Sequence, residues 1–100
     1  FRLRPTATEA DLQNALDKAQ LWISRQEGFE YSTVSVDYKD ITHLVFWASK
    51  AHAEAAQEAF PKAPENGDLM AVIDPDTMEM GDHPIIHAFG PAARAEAAVA

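Results

Sequence analysis

The run Phe29-Glu-Tyr-Ser-Thr-Val-Ser-Val-Asp-Tyr38, followed after Lys39-Asp40 by Ile41-Thr-His-Leu-Val-Phe-Trp-Ala-Ser49, is the most informative stretch of the chain. Both halves are rich in Val, Ile, Thr, Tyr and Phe, whose branched or aromatic side chains suit a pleated surface. Their period is two, so each reads as a strand. Two residues between two strands is hairpin length, although Lys39-Asp40 lacks the Asn-Gly chemistry of the tightest turns. Pairing Tyr38 with Ile41 sets Val36 opposite His43, Val34 opposite Val45 and Ser32 opposite Trp47. One sheet face then carries Ser32, Val34, Val36, Tyr38, Ile41, His43, Val45 and Trp47. The other carries Phe29, Tyr31, Thr33, Ser35, Leu44, Phe46 and Ala48. Large apolar side chains stand on both faces, so both need cover.

Helical patterns flank the hairpin. Upstream, Thr6 and Thr8 are candidate N-caps, with Glu9 and Asp11 three residues after each. The pattern runs to about Gln26 and Gly28 stops it. Leu12, Ala15, Leu16, Ala19, Trp22 and Ile23 share one face of this helix, and Leu21 falls on the wet side. Downstream, Ser49 caps a second helix through Phe60, which Pro61 ends. Its inward side carries His52, Ala53, Ala56, Ala59 and Phe60. The stretch Lys62–Gly67 reads as a loop, and Asp68 caps a short helical turn, Leu69–Ile73, closed by Asp74-Pro75. Pro84–Phe89 reads as the last strand. Phe1-Arg-Leu-Arg4 alternates apolar and charged residues and reads as the end of an edge-type strand that begins upstream of Phe1; Pro5 ends it.

The order β-α-β-β-α-β is an α+β fold, the ferredoxin-like split βαβ with an antiparallel sheet. It occupies 1–90 as a single domain, and 91–100 forms an Ala-rich C-terminal tail. Two helices cover only one face of such a sheet. The other face, with Leu44, Phe46 and Tyr31, therefore predicts a homodimer, since soluble monomers rarely leave such a patch in water.

Composition removes several classes of function. Among 100 residues, 16 are acidic and 8 are Lys or Arg, a net charge of −8. Phosphate neutralisation needs clustered cations, so no nucleic acid is expected as a partner, and a polybasic membrane surface module fails on the same grounds. Apolar runs such as Leu44–Ala48 and Leu69–Ile73 fall far short of the ~20 residues of a membrane span. Cysteine is absent, so disulfides, thiolate metal sites and Cys nucleophiles are impossible. That absence leans towards a reducing interior, and the expected location is cytoplasmic. No Gly-rich phosphate loop and no serine elbow occurs.

Four histidines remain: His43, His52, His83 and His87. On a strand from Pro84, His83 and His87 would stand roughly 13 Å apart at about 3.3 Å per residue, too far to share an ion. No metal site is predicted. Asp74-Pro-Asp76 reads as a capped turn and Glu54/Glu58 as a solvated helix edge. Met70, Met78 and Met80 read as packing material. In the expected register His43 and Trp47 point towards the helix layer, where Trp22 and His52 lie on inward helix faces. With Ser32 and Phe60 they form a candidate ligand-binding set: Trp22, Ser32, His43, Trp47, His52 and Phe60. An apolar pocket with a few polar groups suits a small aromatic ligand. A histidine near neutrality takes a proton from a phenol or hydroquinone, which makes His43 and His52 the candidate catalytic residues. The other reading of the same residues is a filled core with locally bonded histidines.

Gln26-Glu-Gly-Phe-Glu-Tyr31 and Leu44-Val-Phe-Trp-Ala-Ser-Lys-Ala-His52 resemble the antibiotic-biosynthesis-monooxygenase-like (ABM-like) family. Its members show a Gly after the first helix, a Trp-x-Ser at the end of the third strand, and an Ala/His-rich second helix. The resemblance spans Phe1–Phe89 and implies a homodimer in which two sheets close a dimeric α+β barrel. It also implies cofactor-independent monooxygenase or related chemistry, with no cofactor, on a phenolic or quinone-like small molecule. The alternative is a non-catalytic ligand-binding or structural homodimer of the same fold. The family's haem-degrading branch has an Asn on the first strand and a Trp with a His on the second helix. This chain has no Asn in Phe1–Arg4 and no Trp in that helix, and His52 sits too early to match.

Overall fold

The computed structural model describes residues 1–87 and 89. Helix α1, Glu9–Ser24, starts at Thr8, whose hydroxyl accepts the Asp11 N–H at 3.1 Å while the Asp11 carboxylate accepts the Thr8 N–H at 2.9 Å. This reciprocal cap satisfies two backbone donors that a helix start otherwise leaves free. Leu12, Ala15, Leu16, Ala19 and Ile23 are buried, Trp22 is half-buried, and Leu21 is exposed as its position on the wheel requires. After Gly28, at φ +82°, the chain enters β1, Phe29–Asp37, which pairs antiparallel with β2, Asp40–Trp47. Helix α2, Lys50–Ala59, starts at Ser49 and buries Ala53 and Ala56. Single 3₁₀ turns, Phe60–Lys62 and Pro64–Asn66, occupy most of the expected loop and lead into α3, Gly67–Val72. That helix begins before the expected Leu69, with the fully buried Asn66 at its start. Asn66 donates to the Phe60 carbonyl at 3.0 Å and ties the two turns together.

The core lies on one side of the hairpin. Leu12, Ala15, Leu16 and Ala19 of α1 meet Ile41 of β2, Leu69 of α3 and Ile73, with Phe1, Leu3 and Val34 packed against them. Among the described residues no helix is long and apolar enough to cross a membrane.

Four expectations about the strands change. The turn is Tyr38-Lys39, not Lys39-Asp40: Asp37 pairs with Asp40 and Val36 with Ile41, a two-residue slip from the expected register. A slip of two keeps every side chain on its face, so the apolar pattern cannot choose between the registers. The choice falls to the surroundings. Asp40 bonds Arg2 at 2.8 Å, and Ile41 exchanges backbone bonds with Phe1 at 2.7 and 2.8 Å. The Arg2 hydrogen bond holds the Asp40 carboxyl below the usual carboxylate range.

Phe29 changes face. A bulge between Phe29 and Tyr31 sets Phe29 opposite Trp47 while Tyr31 pairs with Phe46. The extra residue, Glu30, breaks the strict alternation that the sequence reading assumed.

Phe1–Arg4 is not an edge. It bonds Ile41 on one side and, on the other, bridges Leu3 to Ile73, with Arg4 N–H on the Val72 carbonyl at 2.8 Å and Asp74 N–H on the Arg2 carbonyl at 2.9 Å.

Pro84–Phe89, expected as the last strand, forms no strand among its described residues. The place beside Phe1–Arg4 is filled by Val72–Asp74, anchored by the burial of Leu69 and Ile73. The expected tail, 91–100, lies outside the described residues.

Candidate functional site

The six residues expected to line one cleft are held by different local interactions. Trp22, on α1, meets Phe60 beyond α2 edge-on, with ring centroids 5.7 Å apart. Trp47, at the end of β2, meets Phe29 edge-on at 6.0 Å. Ser32 donates its hydroxyl to the Gln20 side-chain oxygen at 2.8 Å and so ties β1 to α1. His43 pairs with Val34 on the sheet face that carries the buried Ile41. Ser32 and His43 therefore share the side that α1 covers.

His52 is held by its own helix start. Its Nδ1 lies 2.9 Å from Ser49 Oγ, and its backbone N–H donates to the same oxygen at 3.2 Å. Its Nε2 is 3.8 Å from the Glu27 carboxylate. The ring also leans on Gly28: a Cβ at that position would lie 2.3 Å from His52 Cγ. The absent side chain of Gly28 is the space that His52 occupies. Sequence reasoning placed His52 inside the cleft and missed this lock, yet Ser49-x-x-His52 has the spacing of a capping box. Gln20, Glu27 and the Glu30 bulge carried no periodic signal.

His43 is the chemically distinctive member. It is mostly buried, its Nε2 has no hydrogen-bond partner, and burial lowers its pKa from the usual 6.5. A desolvated imidazole disfavours its charged form, so at neutral pH the ring is an uncharged base with a free nitrogen. Glu30, on the bulge, also buries one carboxylate oxygen without a partner. These are the two buried side-chain polar atoms on the hairpin that lack a partner among the described residues.

An open cleft of about 610 Å³ lies elsewhere, between α1 and α3, lined in part by Asp11, Asn14, Asp17, Lys18, Asp68 and Val72. The exposed Lys18–Asp68 pair, 2.5 Å apart, joins its two walls. None of the six expected residues lines it. His83 and His87 are exposed, and among the described residues no group of three or more metal-ligating side chains converges. The face opposite α1 is open: Tyr31 and Leu44 are each 51% exposed, and the Tyr31 and Phe46 rings lie 6.0 Å apart on it. Compared with known proteins, the chain matches no family model, and no curated protein or solved structure matches it significantly.

Proposed function

We propose that this chain is a homodimeric subunit of ferredoxin-like topology, two copies closing a dimeric α+β barrel of the ABM-like type in a non-catalytic, structural or ligand-binding role. The topology has support in the backbone bonds. They run from β1 to β2, from β2 to Phe1–Arg4, and from there to Val72–Asp74. Every neighbour in that series is antiparallel, which is the strand sequence of a split βαβ. The fourth position is held by a three-residue stub.

The open sheet face carries the proposal. Tyr31, Leu44 and Phe46 stand on it beside Thr33, Ser35 and Thr42, with no helix of the described residues over them. A segment folding back, such as Leu69–Met80, would seal that face within one subunit. Leu69 and Ile73 instead lie in the core on the α1 side. Burying a Leu or Phe side chain contributes about 1.5–3 kcal/mol, so a two-fold partner presenting the same face gains several such terms against the cost of association. Interfaces also accommodate hydroxyls that a dry core would leave unpaired. Sedimentation at micromolar concentration tests this: a species of twice 11.0 kDa is expected, and a single 11.0 kDa species refutes it.

One observation favours a catalytic reading, a cofactor-independent oxygenase acting on a phenolic or quinone-like molecule. The uncharged His43 ring, whose Nε2 is buried without a partner, would serve as the base for a phenol once the side chains covering that nitrogen move aside. Oxygen uptake with a hydroquinone, lost in His43→Gln, is the expected result. Uptake at the uncatalysed rate overturns that reading.

A further inference from the structure

We propose that Pro84–Phe89 is an exchange strand, docking on the free outer edge of β1 in a second copy of this chain. The proposal rests on the homodimer reading above and names the element that completes it.

The segment is built like a strand and placed like an arm. Pro84-Ile-Ile-His-Ala-Phe89 has the β-branched and aromatic content of strands, with Pro at the first position, where a strand tolerates it. In a chain with 16 acidic residues, none falls between His83 and Phe89. Ile86 is 96% exposed and Phe89 95% exposed, so neither contributes to the core of its own subunit. The place such a strand would take within the subunit, beside Phe1–Arg4, is occupied by Val72–Asp74.

The acceptor is equally incomplete. β1 is nine residues long, and among the described residues its only strand partner is β2. Edge strands are normally blunted by Lys, Pro, brevity or a bulge. Phe29–Asp37 contains neither Lys nor Pro, and only the Glu30 bulge interrupts it. Six residues at about 3.3 Å each extend roughly 20 Å, shorter than β1 and able to lie along it. The arm leaves the subunit on the side of α2, where Gln57 donates to Asp82 at 2.6 Å. α2 packs against β2, whereas the open edge belongs to β1. A second copy supplies that edge by strand addition, in which backbone bonds give affinity and alternate side chains find pockets.

The test compares the full chain with the Ile86→Asp/Phe89→Asp double variant. Both side chains are exposed in the subunit, so the variant is expected to melt as the wild type does when each is monomeric. Sedimentation across concentration should show the dimer dissociation constant raised at least about 100-fold, as the loss of two buried apolar anchors per arm requires. Hydrogen exchange should show β1 amides protected in the wild-type dimer and exposed in the variant. A variant that dimerises like the wild type, with unchanged β1 exchange, overturns the exchange strand and leaves the sheet-face dimer standing. β1 protection that persists at concentrations where the chain is monomeric also overturns it, because the arm would then be pairing with its own subunit. A wild type that never dimerises overturns both.

Discussion

Gly28→Ala should be the most damaging single-methyl change in the molecule. Gly28 joins α1 to β1 at φ +82°, and its carbonyl accepts the Ala48 N–H at 2.7 Å, so the same residue also fixes the end of β2. A non-Gly residue in the left-handed region costs about 1–2 kcal/mol. The added Cβ would then lie 2.3 Å from Cγ, 2.5 Å from Nδ1 and 2.7 Å from Cβ of His52. These are the root and ring of a short side chain, not the end of a flexible one, so His52 must leave. Its departure breaks the Nδ1 contact with Ser49 Oγ and perturbs the cap of α2, where loss of a cap costs typically about 1 kcal/mol. The combined loss is about 2–4 kcal/mol. Urea unfolding with a slope of about 1 kcal/mol per molar would register it as a midpoint lower by about 2 M or more. The cycle with His52→Ala separates the two causes. Removing the ring relieves the clash and leaves the backbone cost, so the double variant should be more stable than the sum of the singles by about 1 kcal/mol or more. A Gly28→Ala loss below about 1 kcal/mol, or strict additivity with His52→Ala, would refute the reasoning.

Lowering the pH should destabilise the fold through His43. Its folded pKa lies below the ordinary 6.5, so between the two values the unfolded chain binds more protons; its full stability contribution is present above pH 6.5 and is lost as pH falls towards the folded pKa. Chemical denaturation across that window should show a decline that His43→Gln flattens, and an unchanged slope would count against burial as the cause. Tyr38→Gly should stabilise the protein by roughly 0.5–1 kcal/mol, because Tyr38 sits at φ +59° in the hairpin turn and is exposed. A lower melting temperature for that variant would place the turn elsewhere. Trp47→Ala carries a cost of about 3–5 kcal/mol for a filled core position, and Trp47, half-buried on Phe29, should fall at or below the lower end of that range. A loss below about 1 kcal/mol in urea unfolding would show the ring to be a surface residue.

Periodicity made the helices and the hairpin legible because their signals are local. Thr8 and Asp11 cap α1 through their own spacing, and Leu12, Ala15, Leu16, Ala19 and Ile23 are buried on the face that 100° per residue assigns them. The faces of the sheet beyond the Glu30 bulge were legible for the same reason, since parity survives a two-residue slip. Partners were not. The slip to Val36 opposite Ile41 depends on Phe1 and Arg2, some forty residues away in sequence. The candidate site inherited this limit. Ser32 and His43 lie on the side of the sheet that α1 covers, Trp22 and Phe60 meet each other as members of the expected set, Trp47 meets Phe29, and His52 is held by Ser49 and against Gly28. The Phe29–Trp47 contact depends on the Glu30 bulge, and the seat of His52 depends on Gly28, single-residue features that leave no period to read.

The fourth sheet position shows how a local segment displaces a stronger strand pattern. Pro84–Phe89 has the better strand sequence, yet it is more than ten residues further along the chain than Val72–Asp74. Val72–Asp74 follows directly on α3, whose Leu69 is 2% exposed, and Ile73 is 5% exposed in the same cluster. Pairing that stub with Phe1–Arg4 therefore fixes no residues that core burial has not already fixed, whereas bringing Pro84–Phe89 to the same place would order the intervening loop as well. Within the subunit that difference favours the stub, despite its shorter ladder. In the proposed exchange dimer the balance would reverse, because the β1 edge of a second copy would offer Pro84–Phe89 a longer ladder than the stub has. The same competition that denies the segment a place in its own sheet leaves it free for another.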